Sequence, residues 1–345
     1  KPIQPLLKQV QIKGILPHSE NKYSDFDRDR LLYNMISNEG PKISIGDING
    51  DQLEDIYIGQ SSGTVKKYYT QTTDGRFVAR QDKAFSSQTD FEDTGHTLVD
   101  VDNDGDLDLY VCSGGNEFTE ASSNLMDRLY VNDGNGNFTL SNQILPTFKF
   151  ESGSCVRHAD LDDDGDQDLF VGIRNKPVYH GVPVNGYILI NDGKGNYSDQ
   201  TKNRAPHLLN IGMITDAQWA DMNNDHQPDL IVCGEYMPIK IFYNNKGQFT
   251  YFKSISPNGW WNSILVTDLD NDTDLDIIGG NHGLNSRFKA SAQHPIRLYI
   301  NDFDQNGTVE QFLTSYREGK EYPFSLKHDV ITQIPSLKKK YLKYV

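Results

Sequence analysis

Long apolar runs, cysteines and clustered basic residues are all scarce in this chain of 345 residues. No run of eighteen apolar residues occurs, so the sequence predicts no transmembrane segment. The three cysteines, at positions 112, 155 and 233, follow no spacing that demands a disulfide. No basic stripe runs along the chain, which excludes nucleic acid as an expected partner.

Acidic residues, by contrast, are abundant and regularly placed. The formal net charge is −15, and half of the 48 acidic side chains fall at alternate positions of six short loops. Positions one, three, five, seven and nine of these loops are Asp47, Asn49, Asp51, Leu53 and Asp55; Asp100, Asp102, Asp104, Asp106 and Asp108; Asp160, Asp162, Asp164, Asp166 and Asp168; Asp221, Asn223, Asp225, Gln227 and Asp229; Asp268, Asp270, Asp272, Asp274 and Asp276; and Asp302, Asp304, Asn306, Thr308 and Glu310.

This spacing predicts calcium sites. Bare carboxylates at such density repel one another, and a hard dication with a preference for oxygen ligands removes the repulsion. Position seven can serve through its backbone carbonyl, so a non-acidic residue there is compatible with binding. An EF-hand is excluded because none of the six loops has an acid at its twelfth position. We therefore expect about five or six Ca²⁺ ions with a structural role.

The loops also divide the chain into repeats. The first five begin at intervals of 47 to 61 residues, and each is followed by an apolar, β-rich run. Asn-Asp-Gly turns between later apolar runs are hairpin signals. Four strands per repeat predict an all-β fold, a β-propeller of six or seven four-stranded blades with calcium-binding loops. The predicted blades occupy residues 43–315, with a ring-closing segment before them at 1–42 and a further segment after them at 316–345.

The Asp-rich loops and their apolar flanks resemble the FG-GAP/VCBS repeats of the integrin α-subunit propeller. Four further segments, Asn21–Leu32, Gly259–Asn262, Gly280–Asn285 and Asn301–Gly307, resemble the VCBS-repeat, cartilage-acidic-protein-like surface proteins of Bacteroidota. This resemblance implies a secreted lipoprotein on the outer membrane, a partnership with a SusC/SusD-type uptake complex, and a chain longer than this one. Inside the loops, His226, Pro228 and Thr273 depart from the family pattern.

Fold alone does not give the function. We expect a non-enzymatic binding or scaffold module for a protein or glycan partner at the cell surface, with no catalytic and no cofactor-binding residues. One alternative is a propeller-based polysaccharide lyase, for which Arg157 and Arg287 are the candidate bases. Another is a purely structural subunit of an outer-membrane complex. Trp260 and Trp261 could stack on a sugar ring, although packing in the core is the simpler interpretation.

Overall fold

The structure is a computed structural model that describes residues 10, 12–145, 150–283 and 285–340. The outermost parts of the two predicted terminal segments, residues 1–9, 11 and 341–345, lie outside this range.

Four antiparallel units of four strands follow one another along the chain: the first three are separate sheets, and the fourth is part of a six-stranded sheet. Each is a meander, in which every strand pairs with the strand that follows it. The strands are β1 (Ile43–Gly46), β2 (Asp55–Ile58), β3 (Tyr68–Gln71) and β4 (Phe77–Arg80); β5 (Asp93–Val99), β6 (Asp108–Ser113), β7 (Arg128–Val131) and β8 (Thr139–Leu140); β9 (Ser152–Ala159), β10 (Asp168–Asn175), β11 (Gly186–Asn191) and β12 (Tyr197–Asp199); and β13 (Met213–Ala220), β14 (Asp229–Met237), β15 (Lys240–Tyr243) and β16 (Tyr251–Ser254).

In blades two to four the second strand has an apolar centre because both of its faces are covered. In β6, Leu109 and Val111 pack with residues of the first sheet, whereas Tyr110 and Cys112 pack with residues of the third. Successive side chains of a strand point to opposite faces, so this division follows directly from the strand geometry. All three cysteines of the chain are buried and free, as expected for small core residues.

The first strands of consecutive sheets lie side by side. Side chains join them: Ser44 of β1 contacts the His96 ring at 2.7 Å, and Arg157 of β9 donates to the Asp216 carboxylate of β13 at 2.6 Å. Face-to-face packing of four-stranded meanders, with their first strands adjacent, is the arrangement of β-propeller blades. The predicted all-β propeller is thereby confirmed.

A fifth unit differs from the first four. Strands β17 (Gly259–Thr267) and β18 (Asp276–Asn281) form a hairpin, and β17 also pairs with the end of β14. Strands β19 (Arg297–Asn301), β20 (Glu310–Arg317) and β21 (Lys320–Pro323) then form a separate three-stranded sheet. The described residues thus contain four complete blades, and the count of six or seven stays a prediction.

The helices are short, at α1 (Asp25–Arg28), α2 (Lys83–Ser86), α3 (Thr201–Arg204) and α4 (Lys327–Gln333), with 3-10 turns at Ser123–Leu125, Pro206–Leu208 and Pro335–Lys339. Within the described chain, none of the helices has the length and apolar character needed to cross a bilayer.

Before the first blade, the described residues 12–42 contain no strand and lie across the blades instead of extending one. The Asp25 side chain is fully buried and accepts hydrogen bonds from Ser37 and Asn116. Further along, Glu39 pairs with Arg174 of the third sheet and Tyr33 contacts Tyr236 of the fourth. We name residues 21–39 the crossing segment. Residues 12–42 supply no outer strand to a blade, and buried polar contacts hold the crossing segment in place.

Candidate metal centres

Each of the first five Asp-rich loops joins the first and second strands of its unit, and the sixth joins β19 to β20. The six loops share one backbone conformation, because positions four and six have a left-handed φ in every copy. These residues are Gly50 and Gln52, Asn103 and Gly105, Asp163 and Gly165, Asn224 and His226, Asn271 and Thr273, and Gln305 and Gly307. The departures at His226 and Thr273 therefore leave the loop conformation unchanged.

The carboxylate at position one organises the turn. Asp100 accepts the Gly105 amide at 3.0 Å, and Asp268 accepts the Asp272 and Thr273 amides at 3.1 and 3.0 Å. These bonds bend the backbone so that the alternate side chains converge. The sequence folds this way locally because Asp and Asn accept amides from nearby residues more readily than they join a strand.

The acid at position nine anchors the loop to the sheet. In the second blade Asp108 is fully buried; it accepts the Val101 amide at 2.9 Å and the Asn132 amide, at the end of β7, at 2.7 Å. The residues Asp55, Asp168 and Asp229 make the equivalent pair of bonds in the other complete blades. Position nine therefore has a structural role in addition to any role in binding a cation.

A second set of tethers, which the sequence analysis missed, joins neighbouring blades. An asparagine ends the third strand of each of blades two to four, and its side-chain amide donates to a loop carbonyl of the preceding blade. The pairs are Asn132 with Ile48, Asn191 with Val101, and Asn244 with Leu161, at 2.7, 2.8 and 2.9 Å. Recurrence of this asparagine at one place in each repeat is the sequence signal that could have revealed it.

Four of the six loops bring three acids together. Oxygen atoms within 4.8 Å of one another are contributed by Asp100, Asp102 and Asp108; by Asp160, Asp162 and Asp164; by Asp268, Asp270 and Asp276; and by Asp302, Asp304 and Glu310. The described residues of loops 47 and 221 form no such group of three acids. Both have asparagine at position three, so one carboxylate is replaced by an amide there.

Several carboxylate oxygens in three of these four loops, those at 100, 160 and 302, are buried and accept no hydrogen bond from the described residues. They are Asp100 Oδ1, Asp102 Oδ1, Asp106 Oδ1, Asp162 Oδ1, Asp304 Oδ1 and Glu310 Oε1. A buried anionic oxygen without a donor is costly unless a cation compensates it. The donor set is all oxygen, which suits a hard cation such as Ca²⁺ better than a soft metal. The residues present thus fit the cation that the sequence predicts.

Electrostatics distinguish the loops. Desolvation raises the pKa of Asp106 to about 6, and the neighbouring Asp104 charge adds to the effect. Burial likewise raises the pKa values of Asp108 and Asp168 to about 7, although backbone amides oppose it. In loop 221 desolvation also acts upward on Asp221, but the His226 and Asp225 amides outweigh it and lower the pKa. Backbone donors therefore favour the charged form of Asp221, whereas burial raises the pKa of Asp229 in the same loop.

In two of the loops the side chain at position seven is hydrogen-bonded to a residue outside its own loop. Asp166 accepts the Asn103 amide of the neighbouring loop at 2.7 Å, and Gln227 accepts the Lys246 backbone amide at 2.5 Å. Leu53 has no polar side-chain atom. At these three positions the backbone carbonyl is the available ligand, in agreement with the role that position seven can take in calcium loops.

The two tryptophans considered for stacking on a sugar ring contact other side chains of the protein. Trp260 stacks on His282 with ring centroids 4.6 Å apart, faces Tyr236 on a second side, and donates to Glu235. Trp261 packs in the cluster between β14 and β17. Their rings are therefore occupied by protein contacts, which supports packing over sugar stacking.

The two arginines named for a lyase are likewise engaged. Arg157 donates to the Ala217 and Val156 carbonyls and to Asp216, which ties β9 to β13. Arg287 lies over the Phe288 ring at 4.9 Å. Both arginines therefore have structural contacts with neighbouring residues.

A family model described as "FG-GAP-like repeat" matches residues 47–111, 160–232 and 221–279, which together make up more than half of the chain. The chain belongs to the FG-GAP-like repeat family. Its matched repeats begin at the loops of blades one, three and four, so the family assignment and the propeller blades describe the same units.

Three individual proteins are also similar. One is the "Uncharacterized oxidoreductase YxbG" of Bacillus subtilis, 29% identical over 150 residues, or 41% of this chain and 51% of that protein. The chain thus spans about half the length of this curated relative. The second is the Vibrio cholerae biofilm matrix protein Bap1, with a TM-score of 0.34 and 13% identity, over 79% of this chain and 37% of Bap1. The third is the Dos1 propeller, with a TM-score of 0.33 and 10% identity, over 81% and 80% of the two chains.

The expectation of a non-enzymatic protein is contradicted by the first of these relatives, because its name assigns it to the oxidoreductases. The expectation of a binding or scaffold module is retained, because the FG-GAP repeat propeller is a fold that suggests such a module.

Proposed function

We propose that this FG-GAP repeat protein is a calcium-stabilised binding or scaffold module that works outside the cell. The observation that carries the proposal is the grouping of three acids in each of four loops, together with buried carboxylate oxygens that lack a donor. Loops 100, 160, 268 and 302 would be the stronger sites. Loops 47 and 221 would be weaker, giving about five or six ions in all.

In each loop the oxygens of positions one, three, five and nine would hold the ion, with the carbonyl of position seven. A bound ion supplies positive charge that compensates the clustered carboxylates. In loops 100 and 160 the acid at position nine connects the loop to the third strand, and the asparagine of the next blade holds the loop from the other side. Charge compensation at the loop would therefore stabilise both the blade and its junction with the next.

The expected gain in the free energy of unfolding is large. A ligand that binds only the folded state stabilises it by about 2.7 kcal/mol per site at a hundredfold excess over its Kd. Four such sites would be comparable with the whole stability of an ordinary domain, roughly 5–15 kcal/mol. Sites of this type with modest affinity need the high calcium found outside cells, which supports an extracellular location.

Location and partners can be proposed further from the resemblance. We place the protein at a bacterial outer-membrane surface, as an accessory of a SusC/SusD-type complex, with a protein or glycan partner. Cross-linking on intact cells, followed by purification of the complex in calcium, tests this. Recovery of an outer-membrane barrel protein would support it, whereas a cytoplasmic partner set would contradict it.

Calcium itself is tested by thermal unfolding with excess calcium and with excess chelator. We expect a large fall of the melting temperature on chelation, and about five or six bound ions by elemental analysis of the dialysed protein. The double variant Asp100→Asn with Asp102→Asn should lose one ion, whereas Asp90→Asn, an exposed acid outside the loops, should lose none. A melting temperature that is the same in calcium and in chelator would disprove the proposal.

The name of the Bacillus relative favours a second candidate, a redox activity. The purified chain can be assayed for electron transfer from reduced nicotinamides to a dye acceptor, with heat-inactivated protein as the control. Turnover that scales with protein concentration would support this candidate, and a rate equal to that of the control would contradict it.

A further inference from the structure

A pocket of about 390 Å³ opens on the face where the first strands of the blades begin. Thr94 of β5 and Ser154 of β9 contribute to its lining, as do Glu39 and Lys42 from the N-terminal side. The Asp-rich loops lie at the other end of the same strands. Strand β5 runs seven residues from Asp93 to Val99, which corresponds to about 20 Å. The pocket is thus separate from the candidate metal centres.

The pocket contains a built polar site. Arg174 is 7% exposed and lines it. Its two terminal nitrogens donate to Glu39 at 2.5 Å and Glu235 at 2.9 Å, whereas Nε has no acceptor among the described residues. The Asn38 side-chain oxygen, also in the lining, is buried and has no donor. Buried polar atoms are nearly always paired, so an unpaired donor and an unpaired acceptor at one pocket indicate a missing partner.

The charges at the pocket balance. Arg174 pairs with Glu39 and Glu235, and Asp93 pairs with Arg128 and Lys66, so the charges of these ion pairs sum to zero, and Lys42 is exposed at the rim. Burial raises the pKa of Glu92 to about 8, so that this carboxyl is mostly neutral at pH 7. An ionic ligand would upset this balance, whereas a neutral ligand would not. The remaining lining offers hydroxyl and amide groups that both donate and accept hydrogen bonds.

Backbone strain marks the same face. Val178 and Tyr236 have φ values of 72° and 58°, a region that is unfavourable for β-branched and bulky residues. Val178 lies four residues after Arg174, and Tyr236 is next to Glu235. His180, which is 1% exposed, has no hydrogen-bond partner for either ring nitrogen among the described residues. None of Val178, Tyr236 and His180 lines the pocket, so the strain belongs to the surrounding face.

We propose that this pocket binds a small, uncharged, polyhydroxylated ligand of about one or two sugar rings. Hydroxyl groups of the ligand would accept from the arginine and donate to the asparagine oxygen, and Asn262 at the rim would contact the ligand from outside. The inference rests on the proposed function in that it names the ligand class of the binding module. It differs from stacking on Trp260, because polar groups carry the recognition.

The test is ligand-observed NMR and calorimetry in calcium, with glucose, galactose, mannose, xylose, maltose and cellobiose as probes. Glucuronate and glucosamine serve as charged counterparts. We expect at least one neutral sugar to bind, and the affinity to fall about tenfold in Asn262→Ala and in Glu39→Gln. The matched controls Asn203→Ala and Glu318→Gln change exposed residues of the same types outside the pocket and should bind as the parent protein does.

Three results would overturn the proposal. They are that no neutral sugar binds, that only a charged sugar binds, or that the affinity is unchanged in both pocket variants while these remain folded. These outcomes are distinct from failure of the calcium proposal. A chelator-insensitive melting temperature would remove the metal sites, but sugar binding could still be measured because no pocket residue belongs to an Asp-rich loop.

Discussion

The side-chain amide of Asn191, at the end of β11, donates to the backbone carbonyl of Val101 in the loop of the preceding blade, at 2.8 Å. The same amide donates to Gln167 in its own blade at 3.2 Å. One side chain thus connects two successive candidate metal loops. Loop conformation and the packing of blades are therefore parts of one network.

Asn191→Ala should destabilise the protein by about 1–3 kcal/mol, because it leaves two buried carbonyls without their donor. Denaturant unfolding in excess chelator measures this without a contribution from calcium. Asn196→Ala is the matched control, since Asn196 is exposed in the same turn and its side-chain amide donates, among the residues that the structure describes, to Asp192 alone. Equal effects of the two substitutions would contradict the role of Asn191 between blades.

Asp108→Asn and Asp106→Asn should separate the structural from the ion-binding role of a loop acid. The first places an amide donor against the backbone donors of Val101 and Asn132, and should cost about 1–3 kcal/mol even in chelator. The second relieves like-charge repulsion and should leave stability in chelator equal or slightly higher. Urea midpoints with and without calcium check both. A similar loss for the two in chelator would show that position nine has no special role.

Thr273→Gly should stabilise the protein by about 0.5–1 kcal/mol. A β-branched residue at a φ of 79° costs about 1–2 kcal/mol, and the entropy lost by glycine cancels part of the gain. The reciprocal change, Gly105→Thr at a φ of 93°, should destabilise by a similar amount. Both are read from unfolding midpoints at fixed calcium. The two substitutions should change the stability in opposite directions. A destabilising Thr273→Gly would mean that the Thr273 side chain makes a contact that outweighs the strain.

Glu92→Gln should flatten the pH dependence of stability. Burial, above all, raises the pKa of Glu92 from 4.5 to about 8, so the folded state holds a proton that the unfolded state releases. Stability from this group is complete below 4.5 and declines as the pH rises towards about 8, with a slope of at most about 1.4 kcal/mol per pH unit. Unfolding in urea at several pH values measures it. An unchanged slope in the variant would assign the dependence to other groups.

The sequence was sufficient for the blades and loops because both are local and repeated. Alternating acids such as Asp100 to Asp108 determine a turn within nine residues, and the apolar β6 that follows is recognisable by itself. Substitutions such as His226 hardly mattered, because the backbone of a loop is set by amide contacts to position one. Local regularity of this kind is what a single sequence displays best.

The crossing segment and the pocket could not be predicted in the same way. Asp25 contacts Asn116, and Glu39 contacts Arg174, across separations of 91 and 135 residues. No periodic pattern marks such pairs, and a polar segment of this composition is typical of exposed loops. The blades supply part of the hydrogen bonding of its buried acids, because Asn116 donates to both Asp25 and Asp29.

The crossing segment also has a consequence for the order in which the protein folds. Residues 21–39 leave the ribosome before the blades that contain Asn116, Arg174 and Tyr236 exist. Contacts of such long sequence separation form late and slow the overall reaction. The crossing segment is therefore synthesised early, but its contacts with Arg174 and Tyr236 can form only after the third and fourth blades have been made.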